Sequence, residues 1–277
     1  MACINRRQGC LIILGLIFLL IVASSVVSTT AVVAGRTGNR TAANTSLADV
    51  PVLNYHKIDV FQHALSIPPA EFEEQMAYLS QNGFTTITPE QLMAYFNHEK
   101  ALPAKPILIT FDDGYLDNYT NAYPIMKKYG FTAAIFVVTD LIGHDERFMS
   151  WNQVREMQQD GFVFGSHTVS HAVLTKLSRE QAVEELTGSR KVLEEQLGGK
   201  IRYFAYPTGA YNLQIEELVK QAGYKAAFTI RYGEAGAQSN PYALERIPIF
   251  RGPQTFRSFF VRLHGAPLLE RLGVVRN

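Results

Sequence analysis

Two adjacent carboxylates, Asp112 and Asp113, end an apolar run in the segment TFDDGY, residues 110–115. Two such groups at a buried strand end are unfavourable unless a cation or a shared proton relieves their repulsion and desolvation. Because neighbouring side chains on a strand diverge, one carboxylate can bind a metal ion while the other faces a substrate. Asp-Asp-Gly is also common turn chemistry, so this segment alone leaves a metal site and a plain turn open.

A pair of histidines, His167 and His171, lies in the segment SHTVSH, residues 166–171, directly after the apolar run FVFG. Two histidines four positions apart can face one point if the segment turns helically. With one carboxylate they make a three-ligand site that keeps an open position for water. The alternative is two surface histidines. The position at a predicted strand end, like that of the carboxylates, favours the metal site.

Three further features have less specific signals. The segment RYFAYPTGAY, residues 202–211, is an aromatic strand that breaks at Pro207, and its loop can point backbone N–H groups into a pocket or simply connect a strand to a helix. His56 follows the first predicted strand and falls on the same rim as the other groups. Trp151, the only tryptophan, opens a predicted helix, where it either walls a sugar-binding groove or makes a hydrophobic helix-entry contact.

From residue 51 onward, short apolar strands alternate with amphipathic helices. The predicted strands are residues 51–56, 84–87, 105–111, 131–138, 162–166, 201–206 and 224–230, and the predicted helices are residues 69–81, 89–98, 117–129, 151–160, 178–197 and 213–221. Near-continuous apolar strands between helices indicate a parallel sheet covered on both faces, in a barrel or a doubly wound sheet. Both folds carry their chemistry at the C-terminal strand ends, where the segments above lie.

The N-terminus carries an uncharged run, residues 11–34, after Arg6 and Arg7. Its most apolar part has the length of a signal-peptide core, and the whole run can span a bilayer, which takes ~20 residues. A polar Ser/Thr half extends the run past a usual signal core, which favours an uncleaved anchor. The expected organisation is a cytoplasmic N-terminus at 1–10, a transmembrane anchor or signal segment at 11–34, a flexible linker at 35–49, and a domain at 50–277 that lies outside the cytoplasm on a single-pass anchor or is secreted.

The composition excludes several classes of protein. The chain has 277 residues, 47% of them hydrophobic, and a formal net charge of +1. A disordered chain is excluded by this apolar content, and a nucleic-acid partner is disfavoured because no basic excess is present to neutralise phosphates. A nucleotide site is not expected, since no Gly-rich phosphate loop follows a strand. Both cysteines, Cys3 and Cys10, precede the domain, which excludes a thiol nucleophile and a Cys-type zinc site there.

The segments TFDDGY, SHTVSH and FAYPTG, in this order, resemble the motif series of the polysaccharide deacetylases, the NodB-homology family of carbohydrate esterases (family 4). The resemblance covers about residues 51–250. It implies a distorted (β/α) barrel, in agreement with the alternation described above. The expected fold class is therefore α/β, a barrel of about seven parallel strands preceded by an N-terminal transmembrane or signal helix.

The resemblance also implies roles for individual residues. Asp113, His167 and His171 would bind a divalent metal, with zinc expected, and Asp112 would be the general base. The metal would polarise the acetyl carbonyl and lower the pKa of its water. A backbone N–H of the loop would stabilise the oxyanion. The expected substrate-side residues are Tyr206, Pro207, Thr208, Trp151 and Arg246.

Two departures from the family pattern shape the assignment. Many members have an arginine that orients the base where this chain has Ala205, and FAYP resembles the poly-N-acetylglucosamine deacetylase subgroup instead. We hypothesise that Arg246, in LERIPIF, supplies the missing guanidinium. The usual Leu-x-His segment of the general acid is also not evident, since Arg262-Leu263-His264 matches it poorly. In the subgroup with an early Tyr-His, that histidine takes the role, so we assign it to His56 and keep His264 as the alternative.

The function expected from these features is a metal-dependent hydrolase that removes N-acetyl groups from an N-acetylglucosamine-containing polysaccharide of a cell wall or an exopolysaccharide. The same site chemistry would serve an O-acetyl ester of the xylan type, or a cyclic imide or amide. A third reading is a non-catalytic carbohydrate-binding relic. The presence of all four metal-site and base residues disfavours that reading.

Overall fold

A computed structural model describes residues 47–252 and 255–271 of the chain. The predicted cytoplasmic N-terminus, the anchor or signal segment and most of the linker therefore lie outside the described residues. Within residues 47–252 and 255–271, no helix combines the length and the apolar character that crossing a bilayer requires.

The described residues form eight strands, and seven of them close into a parallel barrel. They are β1 (Val52–Tyr55), β2 (Thr85–Thr86), β3 (Pro106–Asp113), β4 (Ala134–Val137), β5 (Val163–Ser166), β6 (Tyr203–Ala205), β7 (Ala226–Tyr232) and β8 (Leu244–Pro248). The strand order is β1-β8-β7-β6-β5-β4-β3-β2, and an additional β1–β3 pairing closes the ring while β2 stays outside it on β3. The prediction of an α/β barrel of about seven parallel strands is confirmed.

Seven α-helices accompany these strands in the described part of the chain. They are α1 (Pro69–Gln81), α2 (Pro89–Phe96), α3 (Tyr123–Lys128), α4 (Trp151–Gln159), α5 (Arg179–Leu197), α6 (Leu213–Gln221) and α7 (Thr255–Arg271). The starts of α2, α4 and α5 follow from local chemistry, because each has a capping box. At α5, Ser178 accepts the Gln181 N–H at 3.2 Å and the Gln181 side chain accepts the Ser178 N–H at 3.0 Å.

Two parts of the predicted element pattern need correction. The helix expected at 117–129 is a π-helical turn at Asn118–Ala122 followed by the short α3, because Pro124 in the first turn of α3 has no N–H for the helical ladder. The sequence pattern also missed β8 and α7. The strand β8 places the charged Arg246 at a fully buried position, which a search for apolar runs does not find.

The strands alternate between two apolar layers, and this alternation directs the polar side chains. Inward-facing residues form one buried cluster that includes Val52, Leu108, Phe136, Ala205, Phe228 and Leu244. Outward-facing residues pack under the helices in a second cluster that includes Leu53, Ile109, Ile135, Phe204 and Ile247. Successive strand residues point to opposite faces. Asn54, His56, Asp112, His167 and Arg246 therefore share the inward side, at the C-terminal end of the barrel.

The barrel interior has little spare volume beside β5, and we predict a stability cost for filling it. A Cβ atom at Gly165 would lie 2.7 Å from the Phe136 ring and 2.7 Å from the Tyr203 carbonyl oxygen. Gly165→Ala should lower the free energy of unfolding by about 1–3 kcal/mol because the surrounding core must shift. Urea unfolding measures this, with Gly252→Ala as the control, since nothing lies within 4 Å of a Cβ there. Equal stability of the two variants would contradict the packing described here.

Candidate metal and catalytic site

The strand register brings the sequence-predicted residues to one end of the barrel. Tyr55 pairs with Phe111, so His56 comes level with Asp112 just beyond the β1–β3 pairing. Asp113 pairs with Val137, which in turn pairs with Ser166, so His167 emerges next to the carboxylates. Segments far apart in the sequence therefore meet because seven parallel strands end at the same rim.

Asp113 is set apart from Asp112 by its backbone conformation. Its φ is +74° and that of Gly114 is +85°, which turns the chain sharply at the end of β3. A Cβ at Gly114 would lie 2.9 Å from both Ile142 and Val137, so glycine is required there. The turn interpretation of Asp-Asp-Gly is correct, and it is compatible with the metal-site interpretation because the turn aims the Asp113 carboxylate at the two imidazoles.

The Asp113 carboxylate faces the two imidazoles. Its Oδ1 lies 3.5 Å from His167 Nε2 and 3.3 Å from His171 Nε2. This Oδ1 is buried and has no hydrogen-bond partner among the described residues. Burial, together with the neighbouring Asp112 charge, raises the pKa of Asp113. A buried carboxylate oxygen without a donor is an unfavourable arrangement that a cation would relieve.

The two histidines present ring nitrogens in different ways. His167 is buried, and its Nδ1 donates to the Ala205 carbonyl at 2.8 Å, which leaves Nε2 with its lone pair directed at Asp113. Burial lowers the pKa of His167 to about 4, so this ring is neutral at pH 7. The His171 side chain is 39% exposed. The expected helical turn between them is absent. Left-handed residues, Thr168 at φ +71° and His171 at φ +64°, bring the rings together instead.

These observations fit a metal-binding group. The ligand atoms of Asp113, His167 and His171 all lie within 4.8 Å of one another. Two ligands on one tetrahedral ion at usual bond lengths lie roughly 3.4 Å apart, close to the two carboxylate–imidazole distances observed here. A neutral imidazole, a second imidazole and an unpartnered carboxylate oxygen are the donor set that a divalent transition metal prefers. The three residues therefore could hold a metal ion, as the sequence predicts.

Asp112 is held as an ionised carboxylate. Arg246 Nη1 donates to its Oδ1 at 2.8 Å and Arg246 Nη2 donates to its Oδ2 at 2.7 Å, while Asn54 Nδ2 donates to Oδ2 at 3.0 Å. Burial by itself would raise the pKa of Asp112, but the Arg246 charge and these hydrogen bonds outweigh it, and the net pKa lies well below the usual range. Oδ1 has one donor fewer than Oδ2, so it is the oxygen that can accept a proton.

Arg246 has the contact that the missing-guanidinium hypothesis requires, but not a substrate contact. Its side chain is fully buried. The remaining donors reach the Thr229 carbonyl at 2.7 Å and the Thr110 hydroxyl at 3.1 Å. A fully buried side chain cannot touch a polysaccharide. The prediction that Arg246 contacts the substrate is therefore wrong, and Arg246 instead lies behind Asp112. Sequence reasoning overlooked Asn54, which the two-residue spacing from His56 along one strand face could have revealed.

The loop at 206–208 offers one backbone donor. The Tyr206 N–H donates to the Phe228 carbonyl at 3.0 Å and its hydroxyl donates to the Tyr242 carbonyl at 2.9 Å, so neither faces the metal group. Pro207 has no N–H. Thr208 adopts the left-handed conformation at φ +59°. Because the Tyr206 N–H is already engaged and Pro207 has none, Thr208 is the remaining residue of this segment that could supply the expected oxyanion donor.

The remaining candidates fall in different places. The His56 Nδ1 is buried without a hydrogen-bond partner among the described residues. Burial lowers the pKa of His56, and the charges of Asp112 and Asp113 oppose that shift. Trp151 is partly buried against the hydrophobic core and close to Gly143, where a Cβ would lie 3.2 Å from its ring. This position matches the helix-entry contact, and a groove-lining role for Trp151 stays a prediction.

His264 lies at the opposite end of the barrel. Its Nε2 is 2.8 Å from the Tyr78 hydroxyl in the last turn of α1. The Lys105 charge, which immediately precedes β3, lowers the pKa of His264 after the larger effect of burial. Asp112 is near the other end of β3, ~20 Å away along the strand. His264 therefore cannot serve a reaction at the Asp112 rim, and the alternative acid is withdrawn.

Comparison with known proteins connects this geometry to a family. Residues 99–227 match the family model described as polysaccharide deacetylase. A protein named as a polysaccharide deacetylase, YxkH of Bacillus subtilis (strain 168), is 36% identical over 205 residues, 74% of this chain and 73% of the relative. The poly-beta-1,6-N-acetyl-D-glucosamine N-deacetylase of Staphylococcus aureus (strain MSSA476) is 28% identical over 66% of this chain and 68% of its own length. The structure of Streptococcus pyogenes deacetylase PplD in complex with acetate has a TM-score of 0.74 at 28% identity, covering 78% of this chain and 99% of that one.

The buried Asp112–Arg246 pair predicts a specific stability defect. Arg246→Ala leaves a buried carboxylate without its counterion and should lower the free energy of unfolding by about 3–5 kcal/mol at pH 7. Because the native pKa of Asp112 is depressed, the pair stabilises the fold above the ordinary Asp pKa of about 4, and the contribution is lost as the pH falls through the native pKa. The defect measured by urea unfolding should therefore shrink towards acidic pH.

A double-mutant cycle isolates this pair. Asp112→Asn combined with Arg246→Ala should destabilise the chain by less than the sum of the two single changes, because the second change removes the unpaired charge. Arg147→Ala is the control, since Arg147 is 75% exposed in its ion pair with Asp145 and should have little effect. Additive single and double effects would show that the two side chains do not depend on each other.

Proposed function

We propose that this chain, which belongs to the polysaccharide deacetylase family and is a hydrolase acting on carbon–nitrogen bonds, removes N-acetyl groups from an N-acetylglucosamine-containing polysaccharide of a cell wall or an exopolysaccharide. The chain is therefore an enzyme, and the alternative of a non-catalytic carbohydrate-binding relic is set aside. The observation that carries the proposal is an ionised Asp112, fixed by Arg246, beside the Asp113–His167–His171 group.

The substrate class rests on two lines of support. The Staphylococcus aureus relative is named for action on poly-beta-1,6-N-acetyl-D-glucosamine. This chain also shares with the resembling subgroup an alanine, Ala205, where many members have arginine, and its base takes an arginine from β8 instead. We propose an N-acetyl amide rather than an ester substrate on these grounds. No contact of the described residues favours an O-acetyl ester, or a cyclic imide or amide, as the substrate.

In the proposed mechanism the metal would be zinc, and Asp113, His167 and His171 would hold it. When bound, such an ion polarises the acetyl carbonyl and lowers the pKa of water. The protein keeps Asp112 ionised and holds its carboxylate in a fixed orientation. Arg246 and Asn54 hold the carboxylate, and Asp112 Oδ1 accepts the proton of the water that attacks the amide carbon. The depressed pKa of Asp112 guarantees its charge and at the same time limits its basicity.

Two further groups complete the reaction. The N–H of Thr208 donates to the oxygen that becomes negative as water adds to the carbonyl. His56 in its protonated form donates a proton to the nitrogen as the carbon–nitrogen bond breaks, so that acetate and a free amine leave. The proton that Asp112 accepted from water then returns His56 to its protonated form. His56 is half-buried beside the carboxylates, and its Nδ1 has no hydrogen-bond partner among the described residues. The product gains positive charge when the amine takes up a proton.

A substrate panel tests the proposed function. The chain is loaded with zinc and assayed for acetate released from β-1,6- and β-1,4-linked N-acetylglucosamine oligomers and from acetylated xylan. We expect acetate from an N-acetylglucosamine oligomer, loss of it on chelation, and its return with added zinc. Asp112→Asn is the inactive control of nearly equal size. Acetate from xylan alone, or from none of these glycans at full metal loading, would refute the assignment.

The acid assignment predicts a variant that keeps metal but loses turnover. His56→Ala should reduce kcat by about 10²-fold or more, the usual contribution of a general acid, because the amine would leave unprotonated. Zinc affinity should stay within about twofold, since His56 is not in the ligand group. His264→Ala, at the opposite end of the barrel, is the matched control and should keep its turnover. Unchanged turnover or lost metal in His56→Ala would overturn the role.

We also propose that the catalytic domain works outside the cytoplasm. Support comes from the uncharged run at 11–34, which follows Arg6 and Arg7, and from the class of substrate, which lies beyond the cytoplasmic membrane. The proposal includes a single-pass anchor or, if the run is cleaved, secretion. Cell fractionation with N-terminal sequencing checks it. Recovery in the membrane with an intact N-terminus fits the anchor, recovery in the medium with a new N-terminus fits secretion, and recovery in the cytoplasm contradicts both.

A further inference from the structure

One face of α5 packs against residues 167–171, the loop that carries His167 and His171. Glu185 Oε2 accepts the N–H groups of Val169 at 2.8 Å and Ser170 at 3.0 Å, and Glu185 Oε1 accepts the Ser170 hydroxyl at 2.6 Å. A carboxylate 15 residues farther along the chain than Ser170 thus satisfies three donors in the stretch between His167 and His171. These three hydrogen bonds are tertiary contacts, separate from the backbone hydrogen bonds within α5 and between the strands.

The next residues on the same helix face reinforce the contact. Ser189 Oγ lies 2.7 Å from Ser166 Oγ, and Ser166 Oγ accepts the Thr168 N–H at 3.1 Å. A Cβ at Gly188 would lie 3.2 Å from Val169, so the helix approaches the loop closely. Positions 185, 188 and 189 are one face of a helix, because residues three and four apart are neighbours.

The loop needs such support because of its backbone. Thr168 and His171 both have a left-handed φ, at +71° and +64°. Residues other than glycine rarely adopt this region, and they keep it only where the surroundings fix it. The His167 ring is buried and anchored on the Ala205 carbonyl. The His171 ring is 39% exposed, so its place depends more on the backbone that Glu185 holds.

We infer that Glu185 is a positioning residue for the metal site: its carboxylate holds the 168–171 backbone in the conformation that brings the His171 ring to Asp113. The inference rests on the metal site of the proposed function and adds to it a residue outside the ligand group. Groups that orient metal ligands through hydrogen bonds typically change metal affinity by about 10–100-fold when removed.

The test measures zinc affinity by competition with a chromogenic chelator, so that no turnover is needed. Glu185→Ala should weaken zinc binding by about 10–100-fold. Glu185→Asp keeps the charge but is one methylene too short to reach the loop, and it should weaken binding similarly. Glu185→Gln keeps the length and one oxygen that can accept both backbone N–H groups, so it should retain most of the affinity. Glu184→Ala, next to it on the exposed side of α5, is the control for helix and charge and should bind zinc as the unaltered chain does.

The outcomes separate this inference from the proposed function. His171→Ala should lose zinc affinity, and full affinity in that variant would overturn the metal site and the role of Glu185 together. Lost affinity in His171→Ala with unchanged affinity in Glu185→Ala and Glu185→Asp would overturn the positioning role alone. Equal losses in the Glu184 and Glu185 variants would also overturn it. If Glu185→Ala does not fold, Glu185→Asp against Glu185→Gln decides. A chain with the expected affinities that releases no acetate refutes the proposed function and leaves the positioning role intact.

Discussion

The buried pair of Asp112 and Arg246 is the interaction on which the site depends. A carboxylate at this depth is stable as an anion only because a guanidinium meets both of its oxygens. The pair spans the inside of the barrel, from β3 to β8, and Asn54 of β1 joins it. Three strands that are neighbours around the ring thus hold one charge, and they fix the position of the Asp112 carboxylate relative to Asp113.

The two carboxylates show how environment separates chemically identical groups. They are adjacent in sequence, yet burial and Asp112's charge raise the pKa of Asp113 while Arg246 brings that of Asp112 far below its usual range. The left-handed turn at Asp113 creates this difference, since it swings one carboxylate towards the imidazoles and leaves the other on the inward face of β3. Divergent environments for paired carboxylates are a recurrent basis for dividing chemical roles.

The sequence predicted what local patterns encode. The alternation of apolar strands and helices predicted a parallel α/β fold, either a barrel or a doubly wound sheet, and the family resemblance implied the barrel that is observed. The motif series predicted which side chains meet at its rim. The sequence did not predict which residues make long-range contacts. The exception was Arg246, to which a departure from the family pattern pointed. The strand β8 was missed because a buried arginine interrupts its apolar pattern. The approach of His171 was misattributed to a helical turn, because left-handed φ at non-glycine residues depends on tertiary contacts such as those from Glu185.

The placement of the ring's first and last strands makes the candidate site depend on closure of the barrel. The residues of the Asp113–His167–His171 group all precede position 172, whereas the guanidinium that keeps Asp112 ionised lies on β8, which pairs with β1 and β7. The histidine loop also depends on later residues, since the Ala205 carbonyl accepts from His167 and Glu185 accepts from the 169–170 backbone. Closure of the ring between β8 and β1 is therefore what brings the Arg246 guanidinium to the Asp112 carboxylate.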